Sequence, residues 1–477
     1  MCRPRRISRP AFFFGFFCHS NDNQLKFNVK KNFPVCLTEY GTENAFFSVR
    51  LRHGAAAVPG QRNSNREREL ERRNTMNAAD TGFILICAAM VFVMTPAVAL
   101  FYGGLVSARN VLSTSFHSYA SLGLVTVIWA FVGYTLAFGP DINGIIGSLK
   151  YVFLQGVEGT AAPSAANLPH PCFMMFQCMF ACLTVALISG GYAERMHFPA
   201  MLLFSCFWVL FAYAPMAHWV WGGGWMAQMG AVDFAGGAVV HMASAAAALA
   251  CAQAVGPRLR SGLTGRGPHN LPMTLIGGGL LWFGWFGFNA GSALSSGPLA
   301  AHAFATTHLA TAFGVAGWLL VEWIRTGKPT SLGAVSGALA GLVVITPAAG
   351  YVPFGAAMFM GLVGGMGCYA GILLKYRFHY DDALDVVGIH GIGGTIGALL
   401  TGVFACASVN GVDGLLYGNP KQLLWQFISV VATWVYVYGV SRAILYVVGK
   451  MVSLRVTPDE EVTGLDLNEH QERGYNL

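Results

Sequence analysis

The sequence predicts an all-α polytopic membrane protein with eleven transmembrane helices, in which spans 1–5 and spans 6–10 form an inverted repeat and span 11 follows. Composition is the first observation behind this prediction: of 477 residues, 55% are hydrophobic and 11% are charged, and the mean hydropathy is +0.52. Ordinary soluble domains carry about 25% charged residues. The composition therefore excludes a typical soluble enzyme. It also excludes a disordered or nucleic-acid-binding chain, despite a formal net charge of +7.

The spacing of charged residues gives the number of spans. A charge in the bilayer core is unfavourable, so charge-free stretches longer than about 20 residues mark candidate membrane helices. Nine such stretches follow Asp80: 81–108, 110–140, 159–193, 196–232, 234–257, 267–321, 329–374, 386–412 and 422–441. Two of them are too long for one crossing and contain Pro-Gly breaks at 295–298 and 346–350. Each of these two is predicted to form two helices, which gives eleven spans.

Lysine and arginine residues are distributed unevenly between the loops on the two sides. Nine lie in loops after odd-numbered spans, whereas Lys150 and Lys421 are the two in loops after even-numbered spans. Positive residues accumulate on the cytoplasmic side of a membrane. We therefore expect a multi-pass protein of the cell (inner or plasma) membrane, with the start of span 1 outside and the C-terminus in the cytoplasm.

The first 75 residues conflict with this orientation, because they carry 14 Lys/Arg and 6 Asp/Glu next to a helix start that should face outward. A cleaved signal is one interpretation, but the apolar run at 11–18 is short and no small-x-small cleavage site follows it. We favour translation starting at Met76, which leaves 1–75 as a basic extension that is not native coding sequence or is disordered. The predicted domains are then 1–75, the membrane domain 76–450 and a cytoplasmic regulatory tail 451–477.

Spans 5 and 10 open with the same pattern, an aspartate, seven residues and a histidine: Asp233 with His241, and Asp382 with His390. Each span is the fifth of its set, and five is odd, so the two sets are inserted in opposite directions. Such inverted repeats with a site at their midplane are typical of transporters. A lone histidine in an apolar helix is commonly a structural core residue, but two at matching positions favour a substrate or proton path.

Other roles compete for the same residues. Haem ligation by the two histidines is an alternative, although no second histidine pair lies on these helices. For Asp382 and Asp385 we expect N-capping of span 10. For Asp233 we expect capping combined with support of the outer mouth. The 11 cysteines lack a C-x-x-C pair in the apolar runs and are interpreted as buried apolar residues, so neither a metal nor a cofactor is predicted.

Several long motifs in this region resemble those of the ammonium transporter (Amt/MEP/Rh) family, on its Amt side. The motifs occupy 100–105, 218–224, 233–241, 284–292, 346–351 and 381–391. The resemblance implies transport of ammonium or ammonia rather than an enzymatic activity. It implies the following functional positions: an outer recruitment site of Trp221, Phe180 and Ser292, a gate of Phe180 and Phe288, twin pore histidines His241 and His390, and the outer-mouth aspartate Asp233.

The resemblance also implies partners, namely the lipid bilayer, a homotrimer and a PII-type regulatory protein at the tail. A small cation would gain roughly 0.5 to 2 kcal/mol over an indole ring, whereas removing a charge from water costs several kcal/mol. The apolar stretch beyond the two phenylalanines contains no fixed anion, so neutral ammonia is the species expected to pass. Two alternatives stay open: an ammonium sensor of the same fold that signals through its tail, and a gas channel for carbon dioxide.

Overall fold

Helices that could cross a membrane dominate the fold. The computed structural model describes residues 76–259 and 267–475; the predicted extension 1–75 lies outside the described residues. Within them, ten helices are long and apolar enough to span a bilayer, and Ser331–Ile345 is a shorter apolar helix. Numbered in chain order, spans 1 to 11 are Ala78–Leu105, Ala108–Phe138, His170–Tyr192, Phe198–Met229, Gly237–Val255, Leu271–Gly291, Pro298–Thr326, Ser331–Ile345, Phe354–Phe378, Val387–Phe404 and Pro420–Met451.

The two long charge-free stretches are each divided where the Pro-Gly breaks predict. Span 6 ends at Gly291 and span 7 begins at Pro298. Span 8 ends at Ile345, and the turn at 346–350 that follows it is fully buried. Span 8 has 15 residues and is about 22 Å long, which is shorter than a bilayer core of about 30 Å. The buried turn covers part of the remaining distance. Irregular backbone at membrane depth is stable when it is enclosed by protein.

The stretch 159–193 differs from the prediction of one continuous span. Its first residues form a small antiparallel pair, strands Ala161–Ala162 and Ala165–Pro169, and the helix begins only at His170. Proline in the first helical turn favours a helix start there, because its missing N–H group has no partner to lose. A second short pair, Asp141–Ile142 with Ile146–Gly147, follows span 2. The short helices Ala407–Asn410 and Leu415–Tyr417, and a kinked helical segment at Leu149–Leu154, complete the loops.

Spans 5 and 10 begin with matching π-helical segments, Gly237–Met242 and Val387–Gly391. Each segment contains the histidine of its repeat, His241 or His390. A π-helical turn widens a helix locally and is frequent at functional sites. Spans 2 and 4 also contain one each, at Trp129–Gly133 and Val209–Tyr213. The repeat inferred from sequence therefore extends to an unusual local backbone geometry.

Small residues let the helices approach closely. A Cβ atom added at Gly277 in span 6 would collide with the backbone of Phe101 in span 1. One added at Gly361 in span 9 would collide with the carbonyl of Ala310 in span 7. Membrane helices associate through such contacts because lipid provides little hydrophobic driving force between them. Glycine-rich faces thus hold spans 1 and 6, and spans 7 and 9, in tight pairs.

The tail folds back onto the ends of the spans through two short helices, Pro458–Thr463 and Leu465–His470, the second of which we call the tail helix. The carboxylate of Asp466 accepts hydrogen bonds from the backbone amides of Leu112 and Ser113 at 3.1 and 2.8 Å. The carboxylate of Glu469 accepts one from the amide of Phe198 at 3.0 Å. Two carboxylates of the tail helix therefore cap the N-terminal ends of spans 2 and 4.

Candidate permeation site

The two repeat histidines meet in the interior. The Nδ1 atoms of His241 and His390 lie 3.1 Å apart, and the two rings are nearly parallel, with centroids 5.2 Å apart. His241 is fully buried and His390 is 5% exposed. A hydrogen bond between two imidazole nitrogens needs one donor and one acceptor. Among the described residues the Nε2 atom of His241 has no hydrogen-bond partner, so it is free to meet a small polar molecule.

Trp285 forms the wall beside the histidines. Its ring stacks on His241 at a centroid distance of 5.2 Å and an angle of 19°, and its Nε1 atom donates to Thr346 Oγ1 at 2.9 Å. That hydrogen bond fixes the indole plane through the buried turn after span 8. The sequence interpretation assigned no role to Trp285, although it lies inside the motif at 284–292 that supplied the gate. The signal available in the sequence was that Trp285 lies three residues before Phe288, one of the two predicted gate residues.

A narrow cavity of about 10 Å³ adjoins His390 and Trp285. A volume near 10–15 Å³ is about what one water-sized molecule needs. Apart from the histidine, the tryptophan and Tyr102, its lining is aliphatic or aromatic: Met94, Val98, Phe101, Leu183, Leu187, Leu281, Leu339, Leu384 and Ile389. The Tyr102 hydroxyl donates to the carbonyl of Leu187. This lining suits a small neutral molecule, because it contains no charged side chain that could replace the hydration of an ion.

Two stacked phenylalanine rings lie next to the histidine pair. Phe180 in span 3 and Phe288 in span 6 stack with centroids 4.2 Å apart and an angle of 21°. Their exposed fractions are 1% and 0%. Phe288 also lies 6.0 Å from the ring of His241. The stack therefore covers one side of the histidine pair with a hydrophobic layer.

Trp221 contacts this stack through Phe180. Its ring meets Phe180 edge to face at 5.9 Å and 89°, and it is half-buried. The Nε1 atom of Trp221 donates to the backbone carbonyl of Asp233 at 2.9 Å. Ser292 lies one turn after Phe288 and donates its hydroxyl to that residue's carbonyl at 2.8 Å. The oxygen of Ser292 consequently keeps its lone pairs for another donor.

The carboxylate of Asp233 is bound by backbone amides. Oδ1 accepts from Gly236 and Gly237 at 2.8 and 2.7 Å, and Oδ2 accepts from Ala238 and Val239 at 2.7 and 3.4 Å. These amides are the free donors at the start of span 5. The carboxylate thus caps the helix that carries His241, and the Asp233 carbonyl at the same time orients Trp221.

The aspartates of span 10 divide into two roles. Asp382 is buried and accepts a hydrogen bond from the Val387 amide at 2.7 Å, as a cap should. Burial, together with the neighbouring Asp385 carboxylate, raises the pKa of Asp382 to about 7. The expectation that Asp385 is a second cap was wrong: its carboxylate pairs with the ammonium of Lys375 at 2.6 Å. Its backbone φ of 61° turns the chain away from the helix axis, which brings the side chain within reach of span 9.

A half-buried ion cluster at this end of the molecule escaped sequence analysis. The guanidinium of Arg258 pairs with Glu194 and with Asp381, each at 2.8 Å. Burial opposes ionisation of the Asp381 carboxyl, but Arg258 outweighs it and holds the pKa of Asp381 below its usual value. Arg195, which is fully buried, donates to the carbonyls of Gly191, Ala193, Gly256 and Asp381. The cluster ties together the loops after spans 3, 5 and 9.

Comparison with known proteins places this arrangement in a family. Residues 82–475 match the model of the Ammonium Transporter Family. The chain belongs to this family. An ammonium transporter of Bacillus subtilis (strain 168) is 52% identical over 403 residues, which cover 84% of this chain and 99% of that protein.

Two solved structures share the fold of this chain. The crystal structure of Saccharomyces cerevisiae Mep2 is 36% identical with a TM-score of 0.77, covering 81% of this chain and 89% of that chain. A structure named Sensor Amt Protein is 28% identical with a TM-score of 0.78, covering 83% of this chain and 100% of that chain. The prediction of a polytopic helical membrane protein of this family is thereby confirmed.

Proposed function

We propose that this protein transports ammonium across the cell membrane by recruiting the ammonium ion at Trp221 and conducting neutral ammonia past His241 and His390. The observation that carries the proposal is the histidine pair, whose Nδ1 atoms lie 3.1 Å apart below a closed stack of two phenylalanines. The names of the relatives support the same substrate. No enzymatic reaction is part of the proposal.

Recruitment takes place at the outer face of the gate. The half-buried indole of Trp221 attracts an ammonium ion by roughly 0.5 to 2 kcal/mol, and Ser292 offers a hydroxyl oxygen as acceptor. The Asp233 carboxylate contributes indirectly, because its four backbone hydrogen bonds hold the mouth in shape. Its charge is already engaged by the helix start, so we assign it a supporting role.

Deprotonation occurs at the phenylalanine stack. An intact ion would lose its hydration between Phe180 and Phe288, at a cost of several kcal/mol that cation–π attraction does not offset. An ammonium ion can give its proton to solvent water on the Trp221 side of the stack and continue as a neutral molecule. Potassium, of similar size, cannot do so, and this difference is the source of selectivity in the proposal.

The histidines then guide the neutral molecule. An apolar pore favours uncharged imidazole, in which one ring nitrogen donates and the other accepts. Since Nδ1 of each ring faces the other, both Nε2 atoms point away from the pair, and that of His241 has no partner within the described residues. Ammonia both donates and accepts hydrogen bonds, so it can exchange a hydrogen bond with one histidine for a hydrogen bond with the other.

The proposal extends to the orientation of the chain in the membrane, its domains and its partners. The loop charges support a start of span 1 outside and a tail inside the cytoplasm. We propose a membrane domain at 76–450 and a regulatory tail at 451–477, with 1–75 outside the functional unit. We further propose a homotrimer and a PII-type protein at the tail; the hydrogen bonds of Asp466 and Glu469 to spans 2 and 4 offer such a partner a direct route to the helices.

A sensor function is the second candidate, favoured by the likeness to the structure named Sensor Amt Protein. Deleting residues 451–477 separates the two functions. A transporter retains ammonium flux without its tail, whereas a sensor loses its signal.

Flux into proteoliposomes tests the main proposal. Purified protein should give ammonium uptake well above that of empty liposomes, and His241→Ala or His390→Ala should change it strongly. His308→Ala is the matched control, because His308 is exposed and packs beside Trp282 and Phe286 away from the pair. Uptake no greater than that of empty liposomes would sink the transporter hypothesis.

A further inference from the structure

Two cysteines of span 3 form a buried thiol pair. Cys178 and Cys182 are four residues apart, so they share one face of the helix, and each is 0% exposed. Their Sγ atoms lie 3.7 and 3.6 Å from the same atom, Oγ1 of Thr126 in span 2, and the two thiols also interact with each other. The C-x-x-x-C spacing differs from the C-x-x-C motif of many metal and redox sites, so the pair becomes evident only in the folded helix.

Acceptors on span 2 hold both thiols in their uncharged form. Thr126 donates its hydroxyl to the carbonyl of Leu122 at 2.6 Å and accepts from the Cys178 thiol. The Cys182 thiol donates to the Leu122 carbonyl at 3.8 Å. A lone thiolate would be unfavourable in this interior, because a buried charge needs a partner. The pair therefore holds two protons that a thiol-binding cation can displace.

The number and type of donors select the ion that fits. A structural zinc site uses four ligands, whereas the residues at 76–259 and 267–475 include no group of three His, Cys, Asp or Glu side chains that could hold a metal. Soft ions prefer thiolates, and a soft divalent ion such as Hg(II) is satisfied by two of them in a linear arrangement. Two thiolates and one divalent cation form a neutral complex, the form whose burial is least unfavourable.

Tyr213 places a further oxygen near the pair. It lies in the π-helical segment of span 4, is fully buried and interacts with both thiols. Its hydroxyl has no hydrogen-bond partner in the part of the chain that the structure describes. A buried hydroxyl without a partner is unfavourable. Its oxygen is thus available as a weak additional ligand to an ion held by the two sulfurs.

We propose that Cys178 and Cys182 form a two-coordinate site for a soft divalent metal ion, represented by Hg(II), and that the bound ion inhibits transport. When the ion arrives as neutral HgCl2, two S–H and two Hg–Cl bonds break and two S–Hg bonds form. Two protons and two chloride ions leave to water, and no electron is transferred.

Inhibition follows from the position of the gate residue between the two cysteines. Phe180 is two residues from each of them, about 200° around the helix axis, so its ring lies on the opposite face. A metal bridge across Cys178 and Cys182 fixes the helical turn that carries Phe180 and adds volume between spans 2 and 3. This consequence rests on the proposed transport function, whereas metal binding by the pair does not.

Native mass spectrometry of the purified full chain with HgCl2, in the presence of excess 2-mercaptoethanol, tests the site. The competitor should remove Hg(II) held by one thiol more readily than Hg(II) held by two, because the second thiol of a pair acts intramolecularly. The wild type should retain one Hg(II) more than Cys178→Ser or Cys182→Ser. The HgCl2 concentration that halves ammonium uptake into proteoliposomes should rise about 100-fold in both variants.

Cys172→Ser is the matched control, because Cys172 lies on the same helix but donates to the carbonyl of Thr81 at 3.9 Å; it should behave as the wild type. Two separate serine variants keep the test decisive if one of them does not fold. Equal Hg(II) retention by the wild type and the variants would overturn the proposal. So would retained Hg(II) that leaves uptake unchanged, or a mass loss of two hydrogens without metal, which indicates a disulfide. If the untreated wild type shows no uptake, the transport proposal fails, and the mass measurement still decides the metal site.

Discussion

His241 and His390 approach each other from the first turns of two helices that run in opposite directions, with their Nδ1 atoms 3.1 Å apart. Each histidine lies in a π-helical segment, and an aspartate caps each segment: Asp233 in one repeat and Asp382 in the other. The pair is therefore a product of the repeat itself. Any change that shifts one helix start relative to the other should disturb the contact.

Replacing Phe288 with alanine should loosen selectivity against potassium. The substitution removes one ring of the stack with Phe180, so hydrated ions meet a wider and wetter path. We expect measurable potassium flux into proteoliposomes that the wild type lacks. Phe286→Ala is the control, because that ring stacks on Phe304 at 4.1 Å instead. Unchanged discrimination in Phe288→Ala would argue against a gate at this position.

Replacing Trp221 with leucine should weaken ammonium recruitment. Loss of a cation–π contact of roughly 0.5 to 2 kcal/mol corresponds to an increase in KM of about 2- to 30-fold. The maximal rate should change less, since the histidine pair is untouched. The concentration dependence of ammonium-induced current on a supported membrane measures both quantities. Trp323→Leu, at an exposed position of span 7, serves as control, and an equal KM in all three proteins would refute the recruitment site.

Asp233→Ala should destabilise the protein. It leaves the four amides of Gly236 to Val239 without their carboxylate partner, and loss of a helix cap costs about 0.5 to 2 kcal/mol. Asp233→Asn keeps one acceptor oxygen and should cost less. Thermal unfolding in detergent should rank wild type above Asn and Asn above Ala. Equal midpoints for the Ala and Asn variants would contradict the capping role.

Asp382 should make stability depend on pH. Its pKa is raised to about 7 by burial, above the ordinary value near 3.9 of an exposed aspartate. Between about pH 4 and pH 7, the folded state therefore holds a proton that the unfolded chain has released. The contribution of Asp382 to the free energy of unfolding is greatest below about pH 4 and is lost progressively up to about pH 7. Thermal midpoints measured across this range should decline less in Asp382→Asn. An identical decline in both proteins would assign the effect to other groups.

The sequence predicted the membrane helices well because lipid imposes a local rule: charge is absent over the length of a crossing. The rule showed that two stretches were too long for one crossing, and Pro and Gly residues then located the breaks near 295–298 and 346–350. It failed at 159–169, where an uncharged loop satisfies the rule without being helical, and at span 11, where Arg442 lies within a continuous helix.

Contacts between distant residues could not be predicted in the same way. The aspartate–histidine repeat identified His241 and His390, but nothing local indicated that Trp285 stacks on the first of them or that Asp385 pairs with Lys375. The tail gave no signal of docking either. Its bonds to spans 2 and 4 join residues more than 250 positions apart, and such contacts depend on the assembled fold.

The most direct test of the central claim is a comparison of ammonium and potassium pulses on the same proteoliposomes. If neutral ammonia is the species that passes His241 and His390, ammonium should be transported while potassium gives no signal above empty liposomes, because potassium has no proton to release. Potassium transport at a rate comparable to that of ammonium would contradict the account, since it would mean that an intact cation crosses the phenylalanine stack.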